Sequence, residues 1–178
     1  MKKNIDLVLG LILMLTACGG STKENITLNQ EQQQTILEFL VDVTQEDIID
    51  AAIFAAVDTS VNSFFANLSC TMGDMDVQGQ AQLNIMSGNV QWIAQNLGQS
   101  SCSFLSDTLK ITSAQLDWSG QNSILGLGAT SLYGELQIAL EDLEPQLCEV
   151  SLQINAIVNQ VAVEGLLCKV PVQAVFNT

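Results

Sequence analysis

Residues 148–158 (CEVSLQINAIV) show the clearest alternation of apolar and polar residues in the chain. Apolar side chains occupy every second position, and mostly polar side chains lie between them. A period of two is typical of a strand that buries one face and exposes the other, as antiparallel sheets do. The segment therefore predicts a sheet with a core on one side and solvent on the other.

The same period of two recurs between residues 74 and 140. Turns are predicted at 87–89 and 119–122, and a polar loop is predicted at 98–103, because small and polar residues cluster there. A change of parity predicts a β-bulge near Thr112. These segments add several strands to the one at 148–158.

The stretch 123–140 is too long for one flat strand, because 18 extended residues would span roughly 60 Å. Gly126, Gly128 and Gly134 share the parity of Leu132, Leu136 and Leu140. We expect these glycines to let the sheet bend, or to let another backbone approach closely.

The C-terminal hairpin has two consistent registers. In the first, which we favour, the turn lies at 164–165 and apolar residues oppose each other along both strands. In the second, the chain turns near Val158, which places Glu164 opposite an apolar residue. The first register separates Cys148 from Cys168, and the second brings them together. A disulfide between these two cysteines would therefore exclude the first register.

The N-terminal part of the domain has helical periodicity instead. Residues 27–30 (TLNQ) fit a capping box, and apolar residues follow at helical spacing. Thr44, with acidic residues behind it, predicts a second N-cap. A second helix is then expected over about 45–67, with a break at 58–60. The sequence thus predicts one or two helices.

The predicted fold class is α+β, with one or two N-terminal helices packed on a curved antiparallel β-sheet of about six strands in a meander. We expect a single domain over 29–178, helical at 29–67 and a sheet at 74–176. About 150 residues are enough to bury one core of their own.

The first residues of the chain follow another pattern. Lys2 and Lys3 precede an apolar run at 7–15, and small residues then lead to Cys18 in the sequence LTAC. This is the layout of a secretory signal peptide. The run is too short to cross a bilayer, which needs about 20 residues. The ending LTAC resembles the lipobox of bacterial lipoproteins.

That resemblance implies removal of a signal peptide at 1–17 and a diacylglycerol thioether on the sulfur of Cys18. Residues 18–28 would then be the lipidated cysteine and a flexible tether. Gly19 lies where an aspartate retains enterobacterial lipoproteins at the inner membrane, so the resemblance implies the bacterial outer membrane. The protein is then expected to bind the membrane by its lipid without spanning it.

Four cysteines remain after lipidation: Cys70, Cys102, Cys148 and Cys168. An even number in an exported chain predicts two disulfides, and the alternative is four buried free thiols. A bond between Cys70 and Cys102 fits a simple meander in either register of the C-terminal hairpin.

Charge and composition exclude several classes of function. The chain carries a net charge of −14 and no histidine, which excludes histidine-based triads and metal sites. It has no basic patch for phosphates, so no nucleic acid partner is expected. Residues 74–79 resemble half of a calcium loop, but Ile85 replaces its bidentate glutamate. We expect no metal, no cofactor and no enzymatic activity.

Two roles fit these features. The favoured one is a structural or partner-binding envelope lipoprotein, which presents its polar strand faces or an edge strand to a protein partner. The chain has 18 Gln and 12 Asn for such faces. The alternative is a periplasmic carrier that holds a hydrophobic ligand, an acyl chain or a lipid, between helix and sheet. A packed interior favours the first role, and an open apolar cavity favours the second.

Overall fold

A computed structural model describes residues 26–58, 62–69, 74–97, 100–106, 109–140 and 144–177. Within these ranges, one helical run is followed by nine antiparallel strands that form a single sheet. The α+β fold class is therefore confirmed, and the sheet has more strands than the six expected.

The helical run consists of α1 (Gln30–Asp42), a π-helical segment (Val43–Ile49) and α2 (Asp50–Val57). Asn29 is the N-cap of α1. Its side chain accepts a hydrogen bond from the Gln32 backbone, and the Gln32 side chain accepts one from the Asn29 backbone. A capping box exists, as predicted, but it lies two residues later than expected.

The second N-cap predicted at Thr44 is wrong. Thr44 is fully buried inside the helical run, where its hydroxyl donates to the carbonyl oxygen of Leu40 at 2.6 Å. The run ends before the extended Asp58, which agrees with the predicted break. The helix does not resume to 67, because residues 63–69 pair with the next strand and place the Phe64 ring against Gly79.

Each strand is antiparallel to the strands that it pairs with. The strands are β1 (Ser63–Ser69), β2 (Asp74–Asn84), β3 (Asn89–Asn96), β4 (Ser100–Ser106), β5 (Leu109–Ser123), β6 (Gly128–Leu140), β7 (Gln146–Ile157), β8 (Gln160–Leu167) and β9 (Val170–Asn177). Their spatial order is β1-β2-β3-β5-β6-β7-β8-β9, and β4 pairs with the first half of β5. Strands β3 and β4 therefore lie end to end along one edge of β5.

Two sequence predictions for this region are wrong. Residues 119–122 continue β5, and the turn comes later, at 124–126. The predicted loop at 98–103 overlaps β4, so Cys102 lies in a strand that pairs with Ile111. The bulge near Thr112 is confirmed by a register shift between β5 and β6.

The predicted role of the strand glycines is confirmed for Gly134. A Cβ atom there would lie 2.1 Å from the carbonyl oxygen of Gln115 on the neighbouring strand. Its φ of +145° is a conformation that side chains with a Cβ rarely adopt. Only glycine allows the two backbones to approach this closely.

The core lies between the helical run and the inner face of the sheet. Helix α2 contacts β1, β2 and β3, and buried apolar residues continue across the inner face through β8. The largest fully buried side chains include Ile36, Leu40, Ile48, Ile49, Met75, Leu116, Trp118, Leu132, Leu136 and Ile138. The helix and the sheet therefore share one continuous apolar core.

The favoured register of the C-terminal hairpin is wrong. The chain turns after Ile157 and again at Cys168, so residues 164–165 lie inside β8. Cys148 and Cys168 form a disulfide with a Cα–Cα distance of 4.2 Å. Gly165 pairs with Leu152, and Glu164 faces the outer side opposite a glutamine. The observed register therefore differs by one residue from the second register considered above, which placed Glu164 opposite an apolar residue. This difference keeps the carboxylate of Glu164 away from the core.

Candidate functional site

The outer face of the sheet, which points away from the helical run, is rich in uncharged polar side chains. Strand alternation places them there, because the residues between them point into the core. They include Gln78, Gln80, Gln82, Gln91, Gln95, Gln115, Ser119, Gln121, Ser131, Gln153 and Asn155. This face offers many uncharged hydrogen-bonding groups, and its charged residues include Asp74, Asp76, Asp117, Glu135, Glu149 and Glu164.

Three large apolar or aromatic side chains interrupt the part of this polar face that β1 to β6 form, and Leu166 and Val175 are exposed on the outer face farther along, on β8 and β9. Phe65 on β1, Ile93 on β3 and Tyr133 on β6 are 72%, 60% and 48% exposed. The strand register places Phe65 and Tyr133 in one row across five strands, with Gln78, Gln95 and Asp117 between them. Ile93 lies in the adjacent row, between Gln80 and Ser119.

These side chains line a groove of about 510 Å³, which we call the outer groove. Phe65, Ile93 and Tyr133 supply its apolar wall, and Asp117 is the one charged residue among the described residues that line it. A second depression of about 650 Å³ continues from it and shares Gln80, Ile93 and Ser119 with it. Together they form an elongated, largely uncharged surface.

Hydrogen bonds hold the Tyr133 side of the groove in place. The amide nitrogen of Gln153 donates to the hydroxyl of Tyr133 at 3.2 Å and to the hydroxyl of Ser131 at 2.9 Å. Gln153 and Ser131 face each other on neighbouring strands of the sheet. The Tyr133 ring is therefore oriented before any partner binds, which lowers the entropic cost of binding.

The chemistry of the outer groove suits binding. Amides and hydroxyls both donate and accept hydrogen bonds, and the three apolar side chains bury surface against a partner. Among the described residues, no group of three His, Cys, Asp or Glu side chains is placed to hold a metal ion. Residues 74–79, which resemble half of a calcium loop, lie largely in the extended strand β2.

Within the part of the chain that the structure describes, none of the helices has the length and apolarity needed to cross a bilayer.

The cysteines singled out by the sequence divide into two groups. Cys148 and Cys168 form the disulfide described above. Cys18 and Cys70 lie outside the described residues, and so does the side chain of Cys102. The lipidation of Cys18 and the bond between Cys70 and Cys102 therefore stay predictions.

Sequence reasoning did not find the outer groove. The helical spacing of residues 45–67 predicts a helix at Phe65, where the structure has a strand. Ile93 and Tyr133 are 40 residues apart in sequence. Only the strand register brings the three side chains together. One signal was visible: Ile93 is an apolar residue at a polar position of the alternating segment that forms β3. Such an exception marks an apolar side chain on an exposed face.

Comparisons with known proteins give no family for this chain. No protein-family model, curated protein or solved structure matches it. Function is therefore inferred from the geometry and side-chain chemistry of the sheet.

Proposed function

We propose that this chain is a lipid-anchored, non-enzymatic protein of the bacterial envelope that binds a protein partner through the outer groove. The observation that carries the proposal is the presence of Phe65, Ile93 and Tyr133 together in one groove on the part of the outer face that β1 to β6 form, where their neighbours are mostly polar. Protein interfaces have this composition, with an apolar centre, enriched in aromatic residues, inside a polar rim.

The three groove side chains supply much of the binding energy in this proposal. Burying an exposed Phe or Ile side chain contributes about 1.5–3 kcal/mol before the costs of association. The surrounding glutamines add directional hydrogen bonds, which give specificity. Asp117 is the one charged residue among the described residues that line the groove, so we expect the contact surface of the partner to be largely uncharged, with a basic residue opposite Asp117.

The burial of the side chains between the helical run and the sheet favours this role over a carrier role. Ile36, Leu40 and Ile48 on the helical run are fully buried, as are Leu132 and Leu136 on the sheet. A carrier of acyl chains needs open apolar space between these two layers. The apolar surface that is open to a partner lies on the opposite side of the sheet, in the outer groove.

The disulfide supports an exported location. Disulfides persist in oxidising compartments such as the periplasm, and they are rare in the bacterial cytosol. The bond between Cys148 and Cys168 thus agrees with the signal peptide and the lipidated Cys18 that the LTAC motif implies. We propose the outer membrane as the site of the anchor.

Site-specific photo-crosslinking in cells tests the partner-binding role. A photoreactive phenylalanine analogue replaces either Ile93 or Val175 in the full chain. Val175 is the matched control, because it is also 60% exposed but lies on the edge strand β9. We expect a discrete protein adduct from position 93 and none from position 175. Equal adducts from both positions, or none from position 93, would contradict the proposal.

The anchor is tested separately with Cys18→Ser. If Cys18 carries the lipid, this variant leaves the outer-membrane fraction, and wild-type protein incorporates a labelled fatty acid that the variant does not. An unchanged membrane fraction together with unchanged labelling would contradict the anchor and leave the groove proposal standing.

A further inference from the structure

Three hairpin turns lie side by side at one end of the sheet. The β2–β3 hairpin closes at Asn84 and Asn89, and Asn89 pairs with Ser123 at the end of β5. The β5–β6 hairpin closes beside it, and Gly128 at the start of β6 pairs with Ala156 near the end of β7. The β7–β8 turn follows directly. We call this end of the sheet the tip end.

The tip end carries two adjacent large apolar side chains at each of the three turns, in the turn or at the strand end that leads into it. All six are more than half exposed, and Met86 is completely exposed. They are Ile85 and Met86, Ile124 and Leu125, and Ile157 and Val158. Turns are normally built from small and polar residues, so apolar pairs at three neighbouring turns are unusual. A cluster of exposed apolar side chains of this kind indicates an interaction surface.

The three sheet segments that form the tip end carry no charged residue. The chain has a net charge of −14, yet residues 81–96, 118–134 and 150–163 contain no Asp, Glu, Lys or Arg. These three segments include the tip turns and the strand ends beneath them. Moving these three segments into a medium of low dielectric constant would therefore desolvate none of their own side chains as charges, and a desolvated charge is the main obstacle to such a transfer. The nearest acidic residues belong to the helical run, where Ile49, followed by Asp50, lies beside Gly126.

Backbone groups in two of the turns form hydrogen bonds with side chains of the protein. The side-chain oxygen of Asn84 accepts hydrogen bonds from the amides of Met86 and Ser87. In the β5–β6 turn, the Ser123 hydroxyl accepts from the Leu125 amide, and the Asn122 side chain donates to the carbonyl oxygen of Gly126. Internal partners of this kind replace water, which a bilayer does not supply.

From these observations we infer that the tip end is a membrane-contacting surface. Its six apolar side chains would enter the boundary between headgroups and acyl chains of a bilayer with zwitterionic headgroups. The absence of basic residues from the three segments gives no attraction to anionic lipid, and the acidic remainder of the protein would be repelled by it. The inference is independent of the outer groove, which lies on a different surface.

Tryptophan fluorescence of the full chain in phosphatidylcholine vesicles tests this inference. Leu125→Trp and Met86→Trp place an indole on two different turns, and Ile93→Trp is the matched control on the outer face. The native Trp92 and Trp118 are buried and give a constant background. The comparison does not depend on how the N-terminal residues bind the vesicle, because all three variants retain them.

Interfacial insertion reaches about 5–10 Å into the bilayer. An indole on either turn would then lie close to the acyl chains, so brominated acyl chains should reduce its emission roughly twofold. The emission maximum should also shift to the blue. The emission of the Ile93→Trp variant should not change. If the two tip variants respond like this control, the inference is overturned. A blue shift without quenching by brominated lipid would also overturn it, because protein, such as a second copy of the chain, would then cover the tips.

Discussion

The indole N–H of Trp118 donates a hydrogen bond to the hydroxyl of Thr44 at 3.1 Å, across 74 residues of sequence. The same hydroxyl donates to the carbonyl oxygen of Leu40, and both Trp118 and Thr44 are buried. Trp118 belongs to β5 and Thr44 to the π-helical segment, so the bond joins the middle of the helical run to the sheet. A buried Trp needs such a partner for its N–H group.

Replacing Thr44 with valine should destabilise the fold. Valine keeps the β-branched shape but leaves the Trp118 N–H without a partner, and a buried unsatisfied donor costs about 1–3 kcal/mol. Urea unfolding followed by Trp fluorescence measures the change. Thr35→Val is the matched control, since Thr35 makes the same type of bond to Glu31 on an exposed face. Equal losses in the two variants would contradict the role of the buried bond.

Lys169→Gly should stabilise the β8–β9 turn. Cys168 and Lys169 form a two-residue turn with φ values of 51° and 67°, which side chains with a Cβ disfavour. A left-handed conformation costs a residue with a Cβ about 1–2 kcal/mol, and the greater chain entropy of glycine offsets about 0.5–1 kcal/mol of that relief. The free energy of unfolding should therefore rise by about 0.5–1 kcal/mol. The substitution also removes the ion pair between Lys169 and Glu149, which is long, at 3.8 Å, and exposed, so it contributes little.

Lys110→Gly is the control for that substitution. Lys110 is an exposed residue inside β5, where glycine weakens a strand. The two lysine-to-glycine changes should therefore shift the urea midpoint in opposite directions. A loss of stability in Lys169→Gly would show that the turn tolerates its backbone conformation without strain.

Asp42→Asn should stabilise the protein at neutral pH. Partial burial, and then the carboxylates of Glu46 and Glu38, raise the pKa of Asp42 above 3.8. The ionised form is therefore disfavoured in the folded state, and removing it also removes two like-charge pairs at helical spacing. The expected gain is about 0.4–1 kcal/mol at pH 7.

The gain from Asp42→Asn should disappear as the pH falls. As the pH falls, Asp42 is protonated in the folded protein at a higher pH than in the unfolded chain. The destabilisation caused by its ionised carboxylate is therefore lost as the pH falls through the raised pKa. Urea unfolding at pH 7 and at about pH 3 should therefore show a gain only at the higher pH. Glu31→Gln is the control and should give no gain, because Glu31 suits the N-terminal end of the helix dipole.

Local periodicity was enough to predict the strand at 148–158 and the start of the helical run within two residues. In β7 the buried positions include Cys148, Val150 and Leu152, as the alternation requires. Each of these predictions depends on neighbours in sequence, and the burial of one face produces the pattern directly.

Two other features could not be predicted in this way. The β8–β9 turn at Cys168 lacks the Asn-Gly or Asp-Gly pair that two-residue turns prefer. The sequence pattern therefore favours a single C-terminal hairpin, whereas the structure has two, β7–β8 and β8–β9. Phe64 and Phe65 fit helical spacing, but strand pairing places Phe64 on Gly79 and turns Phe65 outward. Tertiary contacts decided both cases.

The residues of the outer groove are proposed to bind one partner together, and this cooperation can be measured directly. The measurement is the yield of the crosslinked adduct from position 93 in chains that also carry Phe65→Ser or Val175→Ser. Phe65→Ser should reduce the yield strongly, because it removes apolar surface from the same groove, and Val175→Ser should leave it unchanged. Equal yields in the two variants would contradict the proposal.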